Sequence, residues 1–259
     1  MDILHAGILG IIEGFTEFLP ISSTGHLIIA GKLLGLQGGE FEKSFDIIIQ
    51  LGAILSVVVL YYKTFFANWD AFKKITVAFI PTAIIGLALY KIVKTYLLAS
   101  AGLVVVTLFI GGIMIILFER WYKQANREGN VIVHNISELS YKQAAYIGLF
   151  QSIAIIPGVS RSAATILGGL FMGINRETIV EFSFLLAVPT MLAATGLDLV
   201  KNFSAFSADQ TSYLAVGFVT SFVVALVGIK FLLSFVKKYS FTTFGVYRIV
   251  AAMVFFMFL

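Results

Sequence analysis

The chain has 259 residues, of which 59% are hydrophobic and 12% charged, with a mean hydropathy of +0.97. A soluble domain carries roughly 25% charge and about 45–50% apolar residues, so this composition excludes a soluble globular protein and sets apolar surface against lipid. No cysteine is present, which excludes disulfides and thiolate-held metal, and the net charge of +4 reads as basic cytoplasmic loops, not as a nucleic-acid footprint.

Met1-Asp2-Ile3 lacks the positive segment that opens a cleaved signal, so the first apolar run is expected to stay in the mature protein. That run, 3–31, is too long for one crossing at about 20 residues per span, and Pro20 stands in its middle. Runs 45–62, 75–90 and 97–118 follow, each predicted to cross once, and the charged stretch 119–140 is expected to be a cytoplasmic connector. Run 141–173 is again long and is interrupted by Pro157-Gly158, after which 178–200, 212–236 and 241–259 complete the set. Proline removes a backbone donor and disfavours helix before it, so each long run is predicted to form two short legs of a re-entrant hairpin. Irregular backbone at membrane depth survives only where protein or a watery cavity satisfies it, which makes both breaks candidate sites.

The halves match. Gly10-x-x-Glu13 aligns with Gly148-x-x-Gln151, and Pro20-x-x-Ser23 with Pro157-x-x-Ser160, while Phe45 and Phe182 stand equally far beyond each proline. If both broken runs return, 11 of the 18 Lys and Arg residues fall in loops on one side and five on the other; if both cross, the loop charges divide evenly. The positive-inside rule prefers the hairpins and places 119–142 in the cytoplasm and both termini outside. The expected architecture is therefore an all-α integral membrane protein, a polytopic helical bundle. It has two inverted-topology repeats, 1–118 and 141–259, each a broken hairpin plus three transmembrane helices, with the hairpin tips meeting near mid-membrane.

An ionisable residue in the hydrocarbon costs about 2.5–3.5 kcal/mol at a helix centre, so each one needs a reason. Glu13 and Glu17 share a helix face, where two carboxylates repel unless a proton, an arginine or a hard divalent cation such as Mg2+ or Ca2+ stands between them. General acid/base work suits the pair as well, and the plainer alternative is an ion pair with the arginine of the other hairpin. Ser23 and His26 would share a face if a helix resumes after Pro20, setting a hydroxyl beside an imidazole; a buried histidine bonded to any neighbour is the alternative. Pro157-Gly158-Val159-Ser160-Arg161 reads as a turn into a helix N-terminus, an anion site. Arg161 adds a fork for phosphate oxygens and Ser160, Ser162 and Thr165 add hydroxyls; an arginine that merely neutralises Glu13 or Glu17 is the competing reading.

The Glu13-x-x-x-Glu17 run with Ser22-Ser23-Thr24-Gly25-His26, and Pro157-Gly-x-Ser160-Arg161-Ser162-x-x-Thr165, resemble the two signature motifs of the bacitracin-resistance type undecaprenyl-diphosphate phosphatase family. The resemblance implies hydrolysis of undecaprenyl diphosphate to the monophosphate and inorganic phosphate in the bacterial plasma membrane, recycling the carrier lipid of wall synthesis, with bacitracin competing for that lipid. It implies metal-binding or acid/base roles for Glu13 and Glu17, and nucleophile and proton-transfer roles for Ser23 and His26. It also implies diphosphate binding by Ser22, Thr24, Ser160, Arg161, Ser162 and Thr165, and a site open to the outer face. The attacking atom, whether Ser23, His26 or water, stays open. A transporter or flippase of lipid phosphate is the second reading, because inverted repeats with broken helices are a transporter pattern.

Overall fold

The structure, a computed structural model, describes residues 1–36, 39–93, 101–125, 132–202 and 210–258, and within these the side chains of 40 and 198–202 lie outside the description. The first broken run forms α1 (Ile3–Thr16) and α2 (Ser23–Leu33), followed by α3 (Glu40–Leu60), a short α4 (Tyr62–Ala67), α5 (Trp69–Ile92) and α6 (Ala101–Ala125). A 3-10 turn (Ile136–Glu138) leads into α7 (Tyr141–Ser152), a second 3-10 turn (Ile153–Ile155) and α8 (Arg161–Phe171). Then come α9 (Arg176–Asn202), α10 (Thr211–Val236) and α11 (Thr242–Phe256). Among the described residues, α3, α5, α6, α9 and α10 are long and apolar enough to cross a bilayer. Their outward side chains, among them Ile84, Leu87, Ile110, Val223 and Val227, stay exposed, as a lipid-facing surface requires. The chain is a polytopic helical membrane protein.

Two boundaries differ from expectation. Helix α6 runs past 118 to Ala125, because Glu119, read as a connector residue, is wholly buried inside it. Helix α11 has 15 residues, so it rises about 22 Å, less than the full hydrocarbon thickness.

Both broken runs return to the end from which they start. Asn175 N–H donates to the Val133 carbonyl at 2.8 Å and Ile132 N–H to Gly173 at 2.9 Å, so the chain enters α7 and leaves α8 side by side. In the first run, Ala6 and Leu9 of α1 share an apolar cluster with Leu27 of α2, and Met1, Leu34 and Leu36 pack on the same cluster.

One end of the bundle is tied by charge. Glu119 accepts from Arg176 through both oxygens, at 2.6 and 2.8 Å, and from the Phe241 N–H at 2.9 Å, joining α6, α9 and the start of α11. Nearby, Lys74 of α5 donates to Asp70 and to the Ser137 carbonyl, and Lys237 pairs with Glu177. A buried carboxylate with a bidentate arginine and an amide has its lone pairs answered, which is the condition under which such a pair is tolerated.

Helix packing interchanges when the halves are exchanged. Helix α1 packs on α10 as α7 packs on α5, α3 packs on α10 as α9 packs on α5, and α3–α9 and α6–α11 pair across the middle. At the α6–α11 crossing, Gly112 lies against the Gly245 carbonyl and Gly245 against the Gly112 carbonyl, so a side chain at either position would strike backbone.

Candidate active site

Helix α1 ends where Pro20 cannot continue it. Glu17 N–H donates to the Glu13 carbonyl at 2.9 Å, so the two carboxylates stand one helical turn apart at the mouth of the break. The chain then reverses through Ser22 at φ 70° and ψ 94°, the one non-glycine residue with positive φ among those described. Such a conformation costs about 1–3 kcal/mol and persists only where its surroundings hold it, a pattern typical of functional sites. In the second break Gly158 supplies the positive φ, 86°, and a Cβ there would run into Thr107, whose hydroxyl donates to the Pro157 carbonyl at 2.7 Å. Ser160 then caps α8 by accepting from Ala163 N–H.

The two tips meet. Ser162 Oγ donates to the Leu19 carbonyl at 2.8 Å, and Arg161 donates through Nη2 to Glu17 Oε1 at 3.2 Å and through Nη1 to the Ser183 carbonyl at 3.0 Å. From α11, the buried Arg248 donates to Pro20 at 3.4 Å and to Gly158 at 2.9 Å, gripping both breaks, and also to the Leu108 and Thr107 carbonyls of α6. Charge-assisted bonds to carbonyls that the breaks leave unpaired answer the requirement that backbone at membrane depth be satisfied.

Between the tips lies a cavity of about 120 Å³ lined by Glu17, Ser22, Ser23, Thr24, Gln50, Ala154, Val159, Ser160, Arg161 and Met191. Ser23 Oγ donates to Glu17 Oε2 at 2.5 Å, a short hydroxyl–carboxylate bond, and the other oxygen of that carboxylate faces Arg161. The N-termini of α2 and α8 both open here, so their first-turn amides and positive dipole ends face the same space. A nucleophile held on a base opposite an anion cradle is an arrangement for acyl or phosphoryl transfer.

Of the residues expected at the site, Glu17, Ser22, Ser23, Thr24, Ser160 and Arg161 line the cavity. Ser162 and Thr165 are turned into the protein: Ser162 bonds Leu19, and Thr165 shares a 2.6 Å bond with Ser183 of α9, so both hold the break in shape. The expected pairing of Ser23 with His26 is replaced. His26 Nδ1 meets the Ser22 carbonyl at 2.8 Å and Nε2 meets Tyr247 Oη at 2.7 Å, because the turn at Ser22 aims its carbonyl at the imidazole and sends the Ser23 hydroxyl toward Glu17.

Glu13 sits behind Glu17, fully buried, and neither of its oxygens meets a hydrogen-bond donor among the described residues. Its counterpart in the sequence alignment, Gln151, donates instead to Thr82 and Thr190 at 2.9 and 3.0 Å. A buried carboxylate without donors calls for a proton or a cation. No cluster of three or more His or acidic side chains occurs among the described residues, so a divalent ion here would draw on Glu13, Glu17 and the oxygens of a bound phosphate.

Four contributors lay outside the sequence reading: Arg248, Tyr247, Thr107 and Ser183. Arg248 carries a signal, a lone arginine in an apolar run, although charge pattern alone groups it with the cytoplasmic loop charges. Its burial takes one charge from that side and leaves the preference for returning hairpins intact. Gln50 of α3 also lines the cavity, and Asp46 on the same helix lies within electrostatic reach of Glu13.

The family profile described as Bacitracin resistance protein BacA matches residues 6–254. The undecaprenyl-diphosphatase of Aquifex aeolicus is 49% identical over 251 residues, covering 97% of this chain and 96% of that protein. Those of Persephonella marina and Wolinella succinogenes are 48% and 46% identical over 258 and 259 residues, and each match covers 100% of this chain and 99% of the relative.

Proposed function

Because the chain belongs to the Bacitracin resistance protein BacA family, we propose that it hydrolyses undecaprenyl diphosphate to undecaprenyl phosphate and inorganic phosphate, with Ser23 as nucleophile and Glu17 as base. The name shared by its full-length relatives supports the reaction, and the 2.5 Å bond from Ser23 Oγ to Glu17, facing Arg161 across the cavity, supports the roles.

In this reading the prenyl chain stays in lipid while the diphosphate enters between the tips, onto Arg161, Ser160 and the amides that open α2 and α8. Ser22 and Thr24 add hydroxyls to the same anion. Arg161 turns its fork to the phosphate and frees the Glu17 oxygen it holds at rest. Ser23 Oγ attacks the terminal phosphorus, its proton passes to Glu17, and the bond to the bridging oxygen breaks with undecaprenyl phosphate leaving. Glu17 gives that proton to the departing undecaprenyl phosphate, then takes one from water as the water attacks the phosphoserine, and returns it to Ser23 Oγ as inorganic phosphate leaves. Where a divalent cation binds, Glu13 and Glu17 would hold it, and it would neutralise charge on the diphosphate.

The multi-pass bundle belongs in the bacterial plasma membrane in this reading, with the cavity reached from the outer face and bacitracin competing for the lipid substrate. The interchange of packing partners and the return of both hairpins support an inverted-topology relation between 1–118 and 141–259. A transporter would bind and release without needing a hydroxyl held on a carboxylate.

The test is phosphate release from the purified, detergent-solubilised chain given undecaprenyl or farnesyl diphosphate, beside Ser23→Ala. Release by the wild type that disappears in a folded, lipid-binding Ser23→Ala protein supports the assignment. Release that persists in Ser23→Ala moves the attack to water or His26, and a wild type that binds the lipid without releasing phosphate overturns the enzyme reading.

A further inference from the structure

We infer that Tyr247 of α11 is a positioning residue for the Ser23–Glu17 pair, acting through His26 and the Ser22 carbonyl; this rests on the roles proposed above for Ser23 and Glu17. A carbonyl oxygen only accepts, so the 2.8 Å contact between His26 Nδ1 and Ser22 O requires the proton on Nδ1. In the neutral imidazole Nε2 is then an acceptor, and Tyr247 Oη, 2.7 Å away, donates to it. The tyrosine and imidazole rings lie nearly parallel, 7° apart, with centroids separated by 5.6 Å, and Phe255 closes on the imidazole edge-on at 5.5 Å. The imidazole is thus fixed in tautomer and in plane, as an orienting partner fixes a catalytic or metal-bound histidine.

What the imidazole holds is the strained link of the site. Ser22 makes no side-chain cap to α2, and its positive φ sets the direction in which the next residue, Ser23, leaves the turn. The carbonyl bond from His26 is a side-chain restraint on that peptide, and it reaches α11 through Tyr247. With both ring nitrogens engaged, His26 has neither a free acceptor for the Ser23 proton nor a place on the cavity lining. Neighbouring Arg248 holds the Pro20 carbonyl two residues before Ser22, so consecutive residues of α11 secure the same turn from two directions.

The experiment is steady-state phosphate release by the full chain in detergent with farnesyl diphosphate, comparing Tyr247→Phe, His26→Asn, His26→Ala and the double variant Tyr247→Phe/His26→Asn. Removing the Tyr247 hydroxyl leaves the aromatic ring and the anion cradle in place, so kcat is expected to fall about tenfold with KM within about twofold of wild type. Asparagine places an amide N–H where Nδ1 stands but moves no proton, so His26→Asn is expected to retain at least about tenfold more activity than His26→Ala. The double variant should be no slower than His26→Asn, because Tyr247 acts only through the imidazole. Wild-type kcat in Tyr247→Phe, or a rise in KM alone, overturns the inference. So does His26→Asn as inactive as His26→Ala, which makes the imidazole a proton carrier. Turnover surviving in Ser23→Ala would instead remove the reading on which it rests.

Discussion

Gly111 of α6 faces the Arg248 guanidinium of α11 so closely that a Cβ at 111 would take the space of Nη2. That nitrogen bonds Gly158, and its twin bonds Pro20, so the glycine's missing side chain is what lets one arginine reach both breaks. Gly111→Ala is expected to displace the guanidinium and cost about 1–3 kcal/mol, typical of overpacking, with kcat falling as the tips loosen. Thermal unfolding in detergent alongside phosphate release checks it; an unchanged midpoint with wild-type turnover counts against the clamp.

Glu17→Gln retains the shape of the side chain and an oxygen for Ser23 but cannot take its proton. Turnover is expected to drop by about 10²–10⁴-fold, the usual worth of a positioned base. Binding of a non-hydrolysable prenyl diphosphonate should persist, measured by intrinsic tryptophan or tyrosine fluorescence.

Arg161→Lys keeps the charge but loses the fork, whereas Arg161→Ala loses both. A charged hydrogen bond is worth about 1.5–3 kcal/mol, so kcat/KM should fall about 10- to 150-fold for each phosphate bond removed, with alanine the worse of the two. Near-normal turnover in a folded Arg161→Ala protein refutes the phosphate clamp.

Chelation is expected to suppress phosphate release and added Mg2+ or Ca2+ to restore it, through the carboxylates of Glu13 and Glu17. Glu13→Gln should raise the cation concentration needed for half-maximal rate, and the reading fails if that concentration does not move.

The Glu119–Arg176 pair lies at the other end of α6 from the chemistry. Glu119→Gln leaves Arg176, half-buried against Tyr122 and Phe241, partly unanswered and is expected to cost about 1–3 kcal/mol of stability. The folded fraction should keep its kcat, so a lowered unfolding midpoint with unchanged specific activity is the expected pair of results.

Much of this molecule is legible from spacing and charge alone. The breaks announce themselves because their runs are too long for one crossing and carry polar residues beside the proline, whereas Pro81 and Pro189 stay inside α5 and α9, and the long apolar runs give the spans to within about seven residues. The carboxylates and Arg161 stand out because charge in the hydrocarbon is costly. What pattern could not supply is direction. Ser23 and His26 stand at helical spacing, yet the positive φ of Ser22 turns one toward Glu17 and the other toward α11. Ser162 and Thr165 likewise have the composition of a cradle, but their hydroxyls answer Leu19 and Ser183, partners distant in sequence. Arg248 was visible as a residue and invisible as a bridge, since its acceptors lie on α6 and in two turns that only the folded chain brings together.

The backbone contact between Gly112 and Gly245 bears on mechanics. Helices that touch through side chains can slide by changing rotamers, whereas two main chains in contact have no soft part to yield. Rocking one half against the other would have to part that seam first. The stiffness favours a fixed workstation, at which the lipid head arrives, is cut and drifts away in the plane of the membrane, over a machine that swings its cargo from one face to the other.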